Sequence, residues 1–216
     1  PAVFLDSAGR AFATDAHSLP SARSQGEPMT GRFNLTTGAN FEHVVMGEDN
    51  QVLLMASDAG YGFITDFKDL VSKNKNGKAL VSVPKGGILL SPIRVNDVAT
   101  DYCMAISNEG RMLLFPLRDL PKLGKGKGNK IISIPGAKVQ AREEFVKVLA
   151  VVPQGSSVTL HAGKRKLTLK PSDLEHYHGE RGRRGNKLPR GLQRVDEAVV
   201  EFTPADEQND DTLVEE

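Results

Sequence analysis

The sequence has no tryptophan, a single cysteine (Cys103) and no long apolar run. Aromatic residues make up only 6 % of the chain, so stacking platforms for single-stranded nucleic acid are sparse. One cysteine excludes an internal disulfide framework and suits a reducing compartment. The longest apolar runs, such as VLAVV at 148–152, are too short to span a bilayer, and no signal-peptide pattern opens the chain. These absences describe a soluble, cytoplasmic protein.

Helical periodicity is scarce too. AREEFVKVLA at 141–150 is the one candidate, but its β-branched end and the following Pro153 favour a loop leading into a strand. What the chain does have is 21 glycines and 12 prolines in 216 residues, the composition of many short strands joined by tight turns. That length can bury a sizeable core and suits one all-β domain.

A net charge of +1 hides an asymmetry. Residues 196–216 hold nine of the 27 acids and no Lys or Arg, leaving 28 basic against 18 acidic residues in 1–195. A basic body attracts phosphates, and an acidic tail competes with them or merely solubilises the end of the chain.

Four segments repeat: VFLDSAGRAFATDAHSL (3–19), LLMASDAGYGFITDFKDL (53–70), CMAISNEGRMLLFPLRDL (103–120) and VTLHAGKRKLTLKPSDL (158–174). Each is an apolar strand, a glycine turn, a second apolar strand and a short polar stretch ending in leucine. Gly9, Gly60, Gly110 and Gly163 are spaced by 51, 50 and 53 residues, and Leu19, Leu70, Leu120 and Leu174 by 51, 50 and 54. Two landmarks holding one period mark a repeat architecture. The second halves repeat as well, in GKALVSVP (77–84) and GNKIISIP (128–135), where the alternation of Leu80, Val81, Ser82 and Val83 predicts a half-buried strand closed by proline. GRFNLTT (31–37) and GNKLPRGLQRV (185–195) are looser copies. About four short antiparallel strands per unit cannot bury their own faces, so the units are expected to close into a propeller-like disc. A β-sandwich is the runner-up, but it does not explain the period.

The connector after each leucine occupies one place in every repeat: SARSQGEP (21–28), SKNKNGKA (72–79), KLGKGKGNK (122–130) and HGERGRRGNK (178–187). Three of the four are basic and glycine-bearing. Glycine lets backbone N–H groups approach an anion, and Lys and Arg supply charge, so a ring of such loops suits phosphate contact. The plain alternative is that these are solvated surface loops.

Catalytic motifs are missing. No Gly-Lys is followed by Ser or Thr as a Walker loop requires, and GKGKGN and GYGFIT each miss the last glycine of a dinucleotide fingerprint. Glu175, His176 and His178 lack a second ligand pair at zinc spacing. No G-x-S-x-G elbow is present. Asn34-Leu35-Thr36 fits a glycosylation acceptor, which a cytosolic location makes irrelevant, and Cys103 reads as a small core residue.

Several stretches carry a resemblance: SDAGYGFITDFKDLVSKNKNGKALVSVP, GRMLLFPLRDLPKLGKGKGNKIISIP, HAGKRKLTLKP and the pair GERGRRG…LPRGLQRVD. Together they resemble the C-terminal domain of the DNA topoisomerase IV A subunit, the sister of the gyrase A C-terminal domain, over residues 2–196. The resemblance implies a β-pinwheel, a disc of four-stranded antiparallel blades that exchange strands. It divides the chain into blades at roughly 1–47, 48–98, 99–152 and 153–202, with 203–216 an acidic, disordered tail. Blades in this family usually number five, and the abrupt start at PAVFLD leads us to expect a further one upstream.

The resemblance further implies a non-catalytic domain that binds and bends double-stranded DNA on its basic edge and guides the parent enzyme's choice of DNA crossings in decatenation and supercoil relaxation. Its partners would be the rest of the A subunit and, through it, the B subunit in a heterotetramer. Any membrane association would belong to that parent alone, and the fragment itself would be monomeric and associated with the nucleoid. No cofactor is expected here, ATP and Mg2+ being bound elsewhere in the parent. The family's breakage-and-rejoining tyrosine belongs to another domain, and Tyr61, Tyr102 and Tyr177 match no catalytic motif. The glutamine-arginine-glycine-lysine box of gyrase A has only partial echoes in GERGRRGNK and GKGKGNK, which argues against gyrase-type chiral wrapping, the alternative function. A protein-docking propeller module is a more distant alternative, and a propeller enzyme with its site at a central channel would need carboxylates or histidines in register, which the repeats lack.

The residues matching the family's basic rim are Lys73, Lys75 and Lys78 in one loop, then Lys122, Lys125, Lys127 and Lys130. In the last repeat they are Arg181, Arg183, Arg184, Lys187 and Arg190. Lys164, Arg165 and Lys166 lie on a hairpin that could face the rim or a disc face.

Overall fold

A computed structural model describes residues 1–202, so the acidic segment 203–216 lies outside the described residues. The first repeat gives strands β1 (Ala2–Asp6), β2 (Arg10–Thr14) and β3 (Phe41–Met46). The second gives β4 (Val52–Ser57), β5 (Tyr61–Asp66), β6 (Lys78–Ala79) and β7 (Ile93–Arg94). The third gives β8 (Tyr102–Ser107), β9 (Arg111–Pro116), β10 (Asn129–Lys130) and β11 (Val146–Val152). The fourth gives β12 (Ser157–Ala162), β13 (Arg165–Leu169), β14 (Asn186–Lys187) and β15 (Glu197–Glu201).

The sheets are antiparallel, but they do not coincide with the repeats. Sheet 1 runs β3-β1-β2-β6, sheet 2 β7-β4-β5-β10, sheet 3 β11-β8-β9-β14 and sheet 4 β15-β12-β13. Each of the first three sheets therefore takes its last strand from the following repeat. This exchange defines the all-β pinwheel, and it locks each sheet to the next. In sheet 4, β13 has no exchanged partner among the described residues.

Burial follows from the sandwiching of one sheet between two others. In β4, Leu53 and Met55 pack toward sheet 1, while Leu54 and Ala56 pack toward sheet 3. In β8, Cys103 and Ala105 face sheet 2, while Met104 and Ile106 face sheet 4. Strands buried on both faces read as continuous apolar runs, which is why LLMAS and CMAIS show no alternation. Each fully buried Leu, Met or Phe here contributes about 1.5–3 kcal/mol. The outer face of sheet 1 is covered differently, by a cluster in which the Phe33 ring lies 5.3 Å from Phe12 and 6.3 Å from Phe4. Sheet 4 ends on a polar face, where Thr159 and Thr168 are hydrogen-bonded at 3.0 Å.

The strand expected at 80–83 does not form. The strand is confined to Lys78–Ala79, Val81 adds a single parallel bridge to Gly126, and Leu80 and Val81 are both buried, so the alternation does not mark two faces. The amides of Leu80 and Val81 both donate to the Gly9 carbonyl, at 3.1 and 2.9 Å, and this segment crosses from one sheet to the next. Segment 141–150 enters β11 at Val146, preceded by a single helical turn, α1 (Gly136–Gln140).

The repeated turn glycine has a structural cause in this crossing. Gly60 has φ +89°, and a Cβ there would stand 2.6 Å from the carbonyl oxygen of Ile132, in the crossing of the next repeat. Gly9 and Gly110 receive Val81 and Gln193 in the same way, whereas Gly163 has nothing within 4 Å.

Candidate nucleic-acid interface

The basic connectors are built elements. KLGKGKGNK starts where Leu123 donates to the Ile64 carbonyl at 2.9 Å, alongside β5. It then meets the crossing of the preceding repeat: Gly126 donates to the Leu80 carbonyl at 2.9 Å and accepts from the Ser82 amide at 3.0 Å. It returns as β10, pairing Asn129 with Gly62 and Lys130 with Tyr61. Only glycine fits at 128, where φ is +81° and a Cβ would lie 2.0 Å from the Gly62 carbonyl oxygen.

The last connector repeats this path. Gly179 donates to Leu114 at 2.9 Å, Gly182 donates to the Ile131 carbonyl at 3.0 Å, and Ser133 donates to Arg183 at 2.9 Å before β14 pairs with β9. In the first repeat Asn34 donates to the Lys75 carbonyl at 2.9 Å, so the segment around Phe33 stands where the later crossings stand. The connectors thus hold corresponding positions along one edge of successive sheets, each bringing its cations to that edge.

The cations differ in how they are held. Lys73, Lys75, Lys125, Lys127 and Lys130 are exposed, and no carboxylate among the described residues lies within ion-pair distance of them. Lys78 donates to the Asp69 carbonyl, and Lys122 pairs with Asp66 at 2.9 Å. In the last connector three arginines are engaged: Arg181 with the Lys130 carbonyl at 2.8 Å, Arg183 with Glu180 at 2.8 Å, and Arg184 with the Ser133 carbonyl at 2.7 Å. Arg184 also reaches the carboxylate of Glu144 at 2.8 Å. Lys187 and Arg190 are exposed. Lys164, Arg165 and Lys166 cluster where the β12–β13 hairpin begins the β13 edge of sheet 4, and the Arg165 guanidinium lies against Gly191.

Other residues belong to this edge although they lie outside the basic loops. Arg10 donates to the carbonyls of Asn76 at 2.8 Å and Gly77 at 3.0 Å, and Arg111 donates to Gly185 at 3.2 Å, each bracing the exchanged strand. Tyr61 takes the corresponding place in sheet 2, and Lys127 Nζ stands 4.3 Å from its ring centroid. Lys85 lies close by in space. Position after the turn glycine was a readable signal for Arg10, Tyr61 and Arg111; for Lys85 there was none.

Three of the described groups titrate away from their ordinary ranges, one of them the Tyr177 phenol, which burial raises. Burial raises the Cys103 thiol far up, which leaves it a protonated core residue. Desolvation lowers His178, with the Glu175 charge opposing, and its ring stacks edge-on to Tyr102 at 4.7 Å. Among the described residues no group of three His, Cys, Asp or Glu side chains could hold a metal ion, and no helix is long and apolar enough to cross a membrane.

Comparison with known proteins agrees with this architecture. The family model described as DNA gyrase C-terminal domain, beta-propeller, matches residues 51–96 and 101–152. The chain is 57 % identical over 205 residues to the A subunit of DNA topoisomerase 4 from Pseudomonas aeruginosa, covering 95 % of this chain and 27 % of that protein. It is 51 % identical over 201 residues to the corresponding protein of Escherichia coli K12, covering 93 % of this chain and 26 % of that protein. The chain therefore spans about a quarter of the length of these relatives. Among solved structures, the E. coli ParC C-terminal domain superposes with a TM-score of 0.88 at 51 % identity, over 94 % of this chain and 82 % of that one.

Proposed function

Because this chain belongs to the family of the C-terminal domain of the topoisomerase IV A subunit, we propose that it binds and bends double-stranded DNA along its basic edge and performs no chemistry itself. The observation that carries this reading is the repetition of one hydrogen-bonded connector path at successive sheets, with exposed lysines at 73, 75, 125, 127 and 130. Cations fixed at intervals on a curved edge contact phosphates without reading bases, so binding is strongly salt-dependent and weakly sequence-selective. A duplex that touches successive connectors must bend. Bending a 20–30 bp site costs about 1–6 kcal/mol, offset by the added contacts.

In the parent enzyme this domain would bias which DNA crossings are passed. Breakage, ATP and Mg2+ would belong to other domains and to the B subunit, in a cytoplasmic, nucleoid-associated enzyme. End-to-end energy transfer in a doubly labelled ~20 bp duplex tests the bending, at a length within the 20–30 bp elastic estimate. The proposal expects transfer to rise on binding; saturated binding with unchanged transfer would leave a DNA-binding domain that does not bend its ligand.

A further inference from the structure

Beside sheet 2, where the chain leaves β10 for the helical turn α1, the basic edge contains a cleft of about 300 Å³. Tyr61 at the start of β5, Lys127 and Lys130 of the connector, and Lys85 from the segment beyond the previous crossing line it, over a floor that includes Ile134 and Val139. Among the described residues no carboxylate lines it. Three ammonium groups around one cleft repel one another, and an anion placed among them relieves that repulsion.

Tyr61 gives the cleft its particular character. In sheets 1 and 3 the same position carries Arg10 or Arg111, whose guanidinium is spent on carbonyls of the exchanged strand. Tyrosine makes no such brace and instead offers a ring face, over which Lys127 Nζ sits at 4.3 Å. A cation–π contact of this kind holds an ammonium in place without neutralising it. The lysine is pre-positioned, so less side-chain entropy is lost on binding.

We propose that this cleft is a discrete seat for a phosphate group, gripped by Lys85, Lys127 and Lys130, with Tyr61 as the positioning residue for Lys127. The assignment rests on the DNA-binding reading, and the phosphate is one of the duplex backbone. It adds Lys85 and Tyr61 to the interface, neither of which belongs to a basic connector.

The test is anisotropy of a labelled ~40 bp duplex, titrated across salt, with wild type, Lys85→Ala, Tyr61→Phe and Tyr61→Leu. Lys85 is exposed, so its replacement leaves the fold intact. Losing one phosphate contact should weaken binding roughly 3–10-fold and reduce the magnitude of the log–log salt slope by about 0.9. Tyr61→Leu should weaken binding and Tyr61→Phe, which keeps the ring, should restore it. Wild-type affinity and slope in both Lys85→Ala and Tyr61→Leu overturn the seat and leave the wider DNA-binding reading standing. A wild type that binds no duplex overturns that reading and the seat together. Inorganic pyrophosphate, followed by the ring resonances of Tyr61, separates a free phosphate ligand from a phosphate of the duplex backbone. A Lys85-dependent response to pyrophosphate with unchanged duplex binding would overturn the assignment to the DNA backbone.

Discussion

Arg184 Nη2 stands 2.8 Å from the carboxylate of Glu144, a side chain with no solvent exposure. Among the described residues neither Glu144 oxygen accepts a well-aligned hydrogen bond, so its charge is balanced by Arg184 and, at 3.8 Å, by Lys138. This arginine, from the connector of the fourth repeat, therefore fastens that repeat to the third. Arg184→Ala should lower unfolding stability by about 1–3 kcal/mol, less than the ~3–5 kcal/mol for breaking a fully buried pair because the arginine is partly exposed. Urea unfolding of the single mutants and of the double mutant with Glu144→Gln measures the coupling; additive effects would mean that the pair does not fasten the repeats.

The connector of the third repeat is expected to behave differently. Lys125→Glu combined with Lys127→Glu should weaken duplex binding alike for unrelated sequences, with unfolding stability within about 0.5 kcal/mol of wild type, as is usual for exposed positions. Binding lost for one sequence only would show base reading where phosphate contact is expected.

The turn glycines supply a test of the strand exchange. Gly60→Ala forces a Cβ onto the Ile132 carbonyl at positive φ, whereas Gly163→Ala meets open space. The left-handed conformation alone costs about 1–2 kcal/mol at either site. Gly60→Ala should cost at least about 2 kcal/mol more, because the crossing must also shift. Equal losses in the two variants, by thermal or urea unfolding, would contradict the packing of the crossing on the turn.

Much of this was legible from the chain, for physical reasons. The period of the glycines at 9, 60 and 110 is visible because each of those turns must admit the next repeat's backbone, whereas Gly163 keeps the period with open space around it. What could not be read is the destination of the exchanged strand: GNK at 128–130 looks alike whether it pairs within its own repeat or with β5, and only the three-dimensional closure decides. The mistaken strand at 80–83 has the same origin, since alternation identifies two faces only when one of them is wet, and Leu80 and Val81 are both buried. Charge alone also does not distinguish a cation braced on a carboxylate, such as Arg184, from an exposed one such as Lys125.

Cys103 provides a dependence on pH. Burial raises its folded-state pKa above the ordinary value of 9.0, so the folded state retains a proton that the unfolded chain releases. Its contribution is complete below pH 9 and declines as pH rises further, by about 1.4 kcal/mol per unit. Cys103→Ala should abolish that alkaline loss while costing stability at neutral pH through the cavity it leaves. A native thiol that reacts rapidly with a thiol reagent at pH 8 would contradict its placement in the core.

The most direct test of the central claim is the salt dependence of binding to two unrelated ~40 bp duplexes. If the edge neutralises six phosphates, log K against log salt should fall with a slope of roughly −5, the same for both sequences. A slope near zero, or affinities that separate by sequence, would contradict an interface built from phosphate contacts along the connectors.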